Sequence, residues 1–267
     1  EHFADLHNIR KLVFSNNYLT EVSVDLFHDL TDLRHLNVSY NLLTKVPIGF
    51  LDLPNLIDVD LSHNKLEMIE FGLFSGLRNL KSLKLDSNQL TELPLAIFDN
   101  LTALVNLNVA GNNLKQLPSS ILANLKLLTD IDLSMNNFPN GGILNGIFKN
   151  NKELLRITIT NNKEPLESLP DDIFHNIKNL YTIYLNDNKL VRIPENLLAG
   201  VPLLNEINFS GNKIREIPEN LLNGCHWLSI LSFSDNEIAN LPNEIFKFSN
   251  KLKVLDLSRN QLKVVNT

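Results

Sequence analysis

The chain has 267 residues, 43% hydrophobic and 20% charged, a composition that supports a buried core and argues against disorder. Lys plus Arg number 24 and Asp plus Glu 30, so a chain of net charge −6 lacks the basic footprint of a dedicated DNA or RNA binder. No uninterrupted apolar run is long enough to span a membrane, and a lone cysteine, Cys225, excludes an intrachain disulfide scaffold.

The first segment, Glu1 to Lys11, is charged and interrupted, unlike a secretory signal. From there one frame, Leu-x-x-Leu-x-Leu-x-x-Asn-x-Leu-x-x-Leu-Pro, recurs to the end of the chain. Its Asn falls at Asn17, Asn41, Asn64, Asn88, Asn112, Asn136, Asn162, Asn188, Asn212, Asn236 and Asn260, a mean step of (260 − 17)/10 = 24.3 residues. Within Leu80-x-x-Leu83-x-Leu85, the two later leucines alternate with Ser82, Lys84 and Asp86, the period of a short strand with one buried face. Each unit then turns at the Asn, buries a pair such as Leu90 and Leu93, and meets a residue such as Pro94 that cannot donate to a ladder. A second anchor lies six residues before the next unit's first Leu: Phe27, Phe50, Phe74, Phe98, Leu122, Phe148, Phe174, Leu198, Leu222 and Phe246. The phenylalanines among them predict a spine of stacked rings. The repeated Asn amide, with donors and an acceptor, is predicted to bond the main chain of its own and the neighbouring turn, a structural role. Parallel strands at ~4.8 Å spacing give a concave arc of ~48 Å over ten intervals. The expectation is one solenoid over residues 1–267, of about eleven repeats.

Three units break the period. The second is one residue short before Phe50. The sixth, Asn136 to Phe148, carries two extra residues and the turn cluster Pro139-Asn140-Gly141-Gly142. The seventh carries two extra around Lys163-Glu164-Pro165. Two readings stay open for these insertions: tolerated bulges, or a contact at the adjacent rim. Cys225 precedes His226-Trp227 on a return path and reads as a small buried apolar group. Phe3 already sits at a spine position, and Val265-Asn266-Thr267 follows directly on the last turn, with no cysteine cluster or polar cap at either end. The expectation is an excised stretch of a longer array, lacking both terminal caps.

These residues resemble a leucine-rich repeat, and the resemblance covers the whole chain. It implies an α/β fold: a right-handed horseshoe solenoid with one concave parallel sheet. The 24-residue unit with Leu-Pro and a Phe spine is similar to the subclass usual in extracellular and receptor proteins. The stretch from Asp132 to Asn176, with Asn161–Pro170 reading NN-x-x-PL-x-x-LP, looks like the corresponding part of insect Toll receptor ectodomains; the ENLL element at Glu195–Leu198 also fits. That resemblance implies an innate-immune or developmental receptor that binds a cystine-knot, cytokine-like protein such as Spätzle. The alternatives are a secreted immune or adhesion protein, or a cytosolic scaffold, built on the same repeat.

Outward strand positions carry nearly balanced charge, which suits specific protein recognition better than long-range attraction of nucleic acid. Leu155, Arg156, Tyr181 and Tyr184 fall at neighbouring outward positions of the seventh and eighth strands and, with Lys163 and Glu164 of the adjacent loop, form the candidate contact site; Tyr and Arg are the residue types that dominate interface energy. His35, Asp58, Asp60 and His63 could converge; solvated surface is the first reading of this cluster, ahead of a pH-sensitive His35–Asp58 pair and, last, a metal set. No nucleophile, phosphate-loop or metallohydrolase motif occurs, so the expected function is non-enzymatic, with no cofactor and no metal. The expected partner is a protein ligand or receptor partner, with a ligand-induced dimer as an option and any membrane contact made by segments outside this chain. If the chain is secreted, the sequons at Asn100, Asn37 and Asn208 are candidate glycosylation sites, Asn100 foremost because it lies on the return path.

Overall fold

The computed structural model describes residue 3 and residues 6–264; Val265, Asn266 and Thr267, part of the expected uncapped end, lie outside the described residues. Each repeat contributes one three-residue strand: β1 (Lys11–Val13), β2 (His35–Asn37), β3 (Asp58–Asp60), β4 (Ser82–Lys84), β5 (Asn106–Asn108), β6 (Asp130–Asp132), β7 (Arg156–Thr158), β8 (Thr182–Tyr184), β9 (Glu206–Asn208), β10 (Ile230–Ser232) and β11 (Val254–Asp256). All eleven lie in one sheet in chain order, and every neighbouring pair is parallel. Register is strict: Leu36 pairs with Val59, Val59 with Leu83 and Leu83 with Leu107, so the inward residue of each strand meets that of the next. We number the coils by the strand they carry.

The strands are short because only the central residue of each must point inward. Leu36, Val59, Leu83, Leu107 and Ile131 are buried, with their flanking residues turned out to the concave side. The return arms close over the same core through successive three-residue turns; in coil 4, Ile97 N donates to Pro94 O and Leu101 N to Phe98 O. Among the described residues the return arms hold one 3-10 helix, Val24–Phe27. Prolines at the start of these arms have no N–H to leave unpaired.

The ladder of asparagines forms as expected through most of the array. Asn112 is fully buried; its Nδ2 donates to Leu85 O (3.0 Å) and Val109 O (3.1 Å), and its Oδ1 accepts from Leu90 N (3.0 Å). Each amide thus ties its own coil to the one before. The residue just before the Asn adopts a left-handed backbone in every coil, from Asn16 (φ 60°) to Arg259 (φ 51°), with Gly at only two of these places, Gly111 and Gly211. That conformation rotates the following amide inward, and a non-glycine side chain there costs about 1 kcal/mol.

Coil 7 departs from the pattern. Asn162 turns its Nδ2 and its backbone N onto Asn188 Oδ1 (3.0 and 3.1 Å) and leaves its own buried Oδ1 without a partner. Asn188 restores the link to the preceding coil by donating to Ile159 O (2.8 Å). The two-residue insertion moves the main chain that would otherwise meet Asn162. The aromatic spine also differs from a continuous column. Phe74 stacks on Phe98 at 6.3 Å and Phe148 on Phe174 at 6.5 Å, while Phe27 meets Phe50 at 5.1 Å with the rings tilted by 49°; Leu122, Leu198 and Leu222 interrupt the rest of the series.

Candidate functional site

The sheet presents its outward side chains in rows one coil apart. In the middle of the concave face Arg156 of β7 approaches Asp130 of β6 at 3.5 Å, and β8 sets Tyr184 beside Thr158 of β7 and Asn208 of β9. Burial pushes the Tyr184 phenol above its ordinary range, and the Glu206 carboxylate adds to the shift through its charge and a hydrogen bond. Asp130, Arg156, Tyr184 and Glu206 are therefore a linked polar surface that spans four strands.

Leu155 and Tyr181 do not share that face. They precede β7 and β8, on the flank that leads into the sheet, where both are exposed and joined by Tyr181 N donating to Leu155 O (2.9 Å). Lys163 and Glu164 lie on the opposite flank, after β7. The Lys163 ammonium is engaged there, donating to Asn112 O and Asn113 Oδ1 (both 3.3 Å), and so staples coil 7 back to coil 5. Glu164 is exposed beside it. The six candidate residues thus divide between concave face, leading flank and trailing flank. Sequence spacing alone places residues one apart on opposite sides of a strand, but the strands here are only three residues long, so Leu155 and Tyr181 fall outside them.

At the N-terminal end of the concave face, His35 Nδ1 and Asp58 Oδ2 lie 2.5 Å apart on paired strands, within a hollow of about 290 Å³ lined also by Lys11, Ser82 and Lys84. His63 is drawn away from them: its ring stacks on Tyr40 at 4.0 Å and its Nε2 lies 3.7 Å from Asp86. Asp60 turns to Ser62 Oγ (2.6 Å) and Lys84 (3.6 Å). Sequence reading brought His35 and Asp58 together; it missed the Tyr40–His63 stack, whose signal is the left-handed position that both occupy in consecutive coils.

Asn100 is exposed on the return arm of coil 4. Asn37 and Asn208 lie on strands, with their Oδ1 atoms accepting from Ser39 N (2.9 Å) and Ser210 N (2.8 Å). Cys225 takes a place that Leu101, Leu125, Ile177 and Val201 hold in other coils; it is fully buried, and burial pushes its thiol up to about 11.

Two family patterns cover nearly the whole chain: the leucine rich repeat matches residues 1–43, 38–90 and 78–138, and the BspA type leucine rich repeat region matches residues 141–266. The chain belongs to the leucine-rich repeat family. The solved Drosophila Toll–Spätzle complex in its glycosylated form matches 99% of this chain with a TM-score of 0.83 and 29% identity, over 38% of the chain it matches. A leucine-rich repeat protein of Leptospira interrogans matches all of this chain at 26% identity and a TM-score of 0.66, over 76% of its own length. Mouse podocan is 35% identical over 79 residues, 28% of this chain and 12% of podocan. The repeat solenoid therefore resembles a Toll receptor ectodomain, of which it spans less than half the length. No helix among the described residues is long and apolar enough to cross a membrane.

Proposed function

We propose that this solenoid is a non-enzymatic, protein-binding part of a Toll-like receptor ectodomain, displayed outside the cell, that recognises a cystine-knot, cytokine-like protein. The observation that carries this reading is the match along 99% of the chain to Toll solved with Spätzle. The local chemistry supports it. Arg156 and Tyr184 offer a charged and aromatic pair on the concave face, and Leu155 and Tyr181 extend it over the leading edge. A protein domain can bridge such an edge, whereas a small molecule would find little enclosure on it.

The test is surface plasmon resonance of the immobilised chain against secreted cystine-knot, cytokine-like proteins. Binding is expected, and the double variant Tyr181→Ala/Tyr184→Ala should weaken it by about 2 kcal/mol or more, roughly 30-fold. Unchanged affinity in the variant removes this surface, and no binding by any member of the panel removes the ligand class. Secretion carries its own expectation, a glycan on Asn100 in protein recovered from a eukaryotic culture medium.

A further inference from the structure

A cationic strip crosses the return arms of coils 5–7 where they lead back to the sheet. Lys126, Lys152 and Lys178 hold one repeat position, ten residues before the ladder Asn of the next strand, and all three are exposed. Lys149, three residues before Lys152, adds a fourth exposed ammonium. Thr102 and Pro202 take the repeat position in coils 4 and 8 and so bound the strip; Arg78 of coil 3 stands apart, one coil beyond Thr102. Among the described residues none of the four lysines makes an ion pair. Glu153, the acid that sits within the strip, accepts from Asn179 Nδ2 at 3.1 Å.

Side-chain amides hold these arms in register. Asn151 stands where Leu101, Leu125, Ile177 and Val201 stand in other coils, and it is fully buried. Its Nδ2 donates to Leu122 O (2.9 Å) and Leu125 O (2.8 Å), which sets the main chain of Lys152 beside that of Lys126. Asn179 Nδ2 donates in turn to Lys152 O at 3.4 Å, and the Lys152 ammonium reaches Asn176 O at 3.4 Å, so coil 7 is joined to coil 6 at the same level. Asn124, Asn150 and Asn176 each stand two residues before one of the three lysines, and alternate an amide with every charge.

We infer that this strip binds a linear sulfated polysaccharide laid across coils 5–7. A polymer whose anionic groups repeat along its length meets one ammonium per coil, and the interleaved amides suit its hydroxyl and sulfate oxygens. The chain as a whole carries −6, so the attraction is local to the strip. Residues 123–126, 149–152 and 175–178 include no Phe, Tyr or Trp, and the bases of a single-stranded nucleic acid would find no stacking platform among them. The site is separate from the proposed protein-ligand surface and uses none of its residues.

Surface plasmon resonance on immobilised heparin, with no protein ligand present, tests this at about 50 mM salt, where screening is weak. The chain is expected to bind, to release as salt rises, and to ignore fully desulfated heparin. Lys126→Ser/Lys152→Ser/Lys178→Ser should bind about tenfold or more weakly and should flatten the dependence of log affinity on log salt by roughly two to three units. Lys45→Ser/Lys65→Ser/Lys213→Ser removes the same charge from exposed positions elsewhere and should stay within about twofold of the parent. A parent chain that does not bind heparin, or an equal loss in both triple variants, overturns the proposal. So does tighter binding, through the same three lysines, to single-stranded DNA or to phosphatidylserine vesicles, which would assign the strip to a different class of polyanion.

Discussion

Asp86 stands where Ser39, Ser62, Ser134 and Ser234 stand in other coils, close under the strand end. In those coils the residue two places earlier receives the backbone N–H, as Asp60 does from Ser62; coil 4 has Lys84 there, and its ammonium reaches back to Asp60 instead. The Asp86 Oδ1 is buried without a partner, and burial raises its pKa despite His63 nearby. The folded chain therefore holds this proton to higher pH than the unfolded chain does, and stability falls as pH rises through that window. Asp86→Ser should stabilise the protein at pH 7, with the gain disappearing near about pH 3 where both states are protonated. Urea unfolding midpoints of parent and variant at the two pH values measure this; an equal gain at both would show that packing and not ionisation is responsible. The ladder amides pose the opposite case, with every polar atom of Asn112 paired, so that truncation there strands several groups at once.

At the scale of the coil, the inserted loops show how much a period tolerates. The sixth coil absorbs its extra residues by folding Pro139–Gly142 back against coil 5: Gly142 O accepts from Leu117 N, and Asn140 is tied to Glu167 N (2.8 Å) of coil 7. A Cβ on Gly142 would lie 2.6 Å from the Lys115 carbonyl oxygen, too close without main-chain movement. Gly142→Ala should cost about 1–3 kcal/mol in a denaturant titration, and a loss below the error of the fit would mean that the loop is free to swing away from coil 5. The strands, the ladder positions and the anchor residues were legible in the amino-acid order, because each repeats with one spacing and one chemistry. The departures were not. Asn162 carries the same letter as its ten counterparts, yet its bonds are decided by where a neighbouring insertion puts the main chain. Lys163 reads as a free cation until coil 5 is seen to offer it a carbonyl. Leu155 and Tyr181 read as strand residues because spacing marks which positions alternate and not where hydrogen bonding begins.

Across the whole molecule, each coil packs on its neighbours, with the reach of Lys163 from coil 7 to coil 5 an exception, so stability is shared outward from the middle. The inward Leu231 of β10 is buried while the equivalent Leu255 of β11 is 39% exposed, and Leu12 of β1 is likewise only half-buried. Hydrogen exchange followed by mass spectrometry should therefore find β5 and β6 slowest and β1 and β11 fastest, a gradient set by distance from an end. Uniform protection would instead mean that the array opens as one unit. The candidate contact residues Arg156 and Tyr184, on β7 and β8, lie well inside this gradient and should sit on slowly exchanging backbone.

The strict register from β1 to β11 has a consequence for how such a molecule can change. Adding or removing one complete turn leaves every surviving neighbour with the partner it already recognises, while a gain or loss of any other size must be looped out, as in coils 6 and 7. The reach of the hollow is thus adjustable in whole steps, and a lineage can lengthen or shorten its grip on another protein without solving its folding problem afresh.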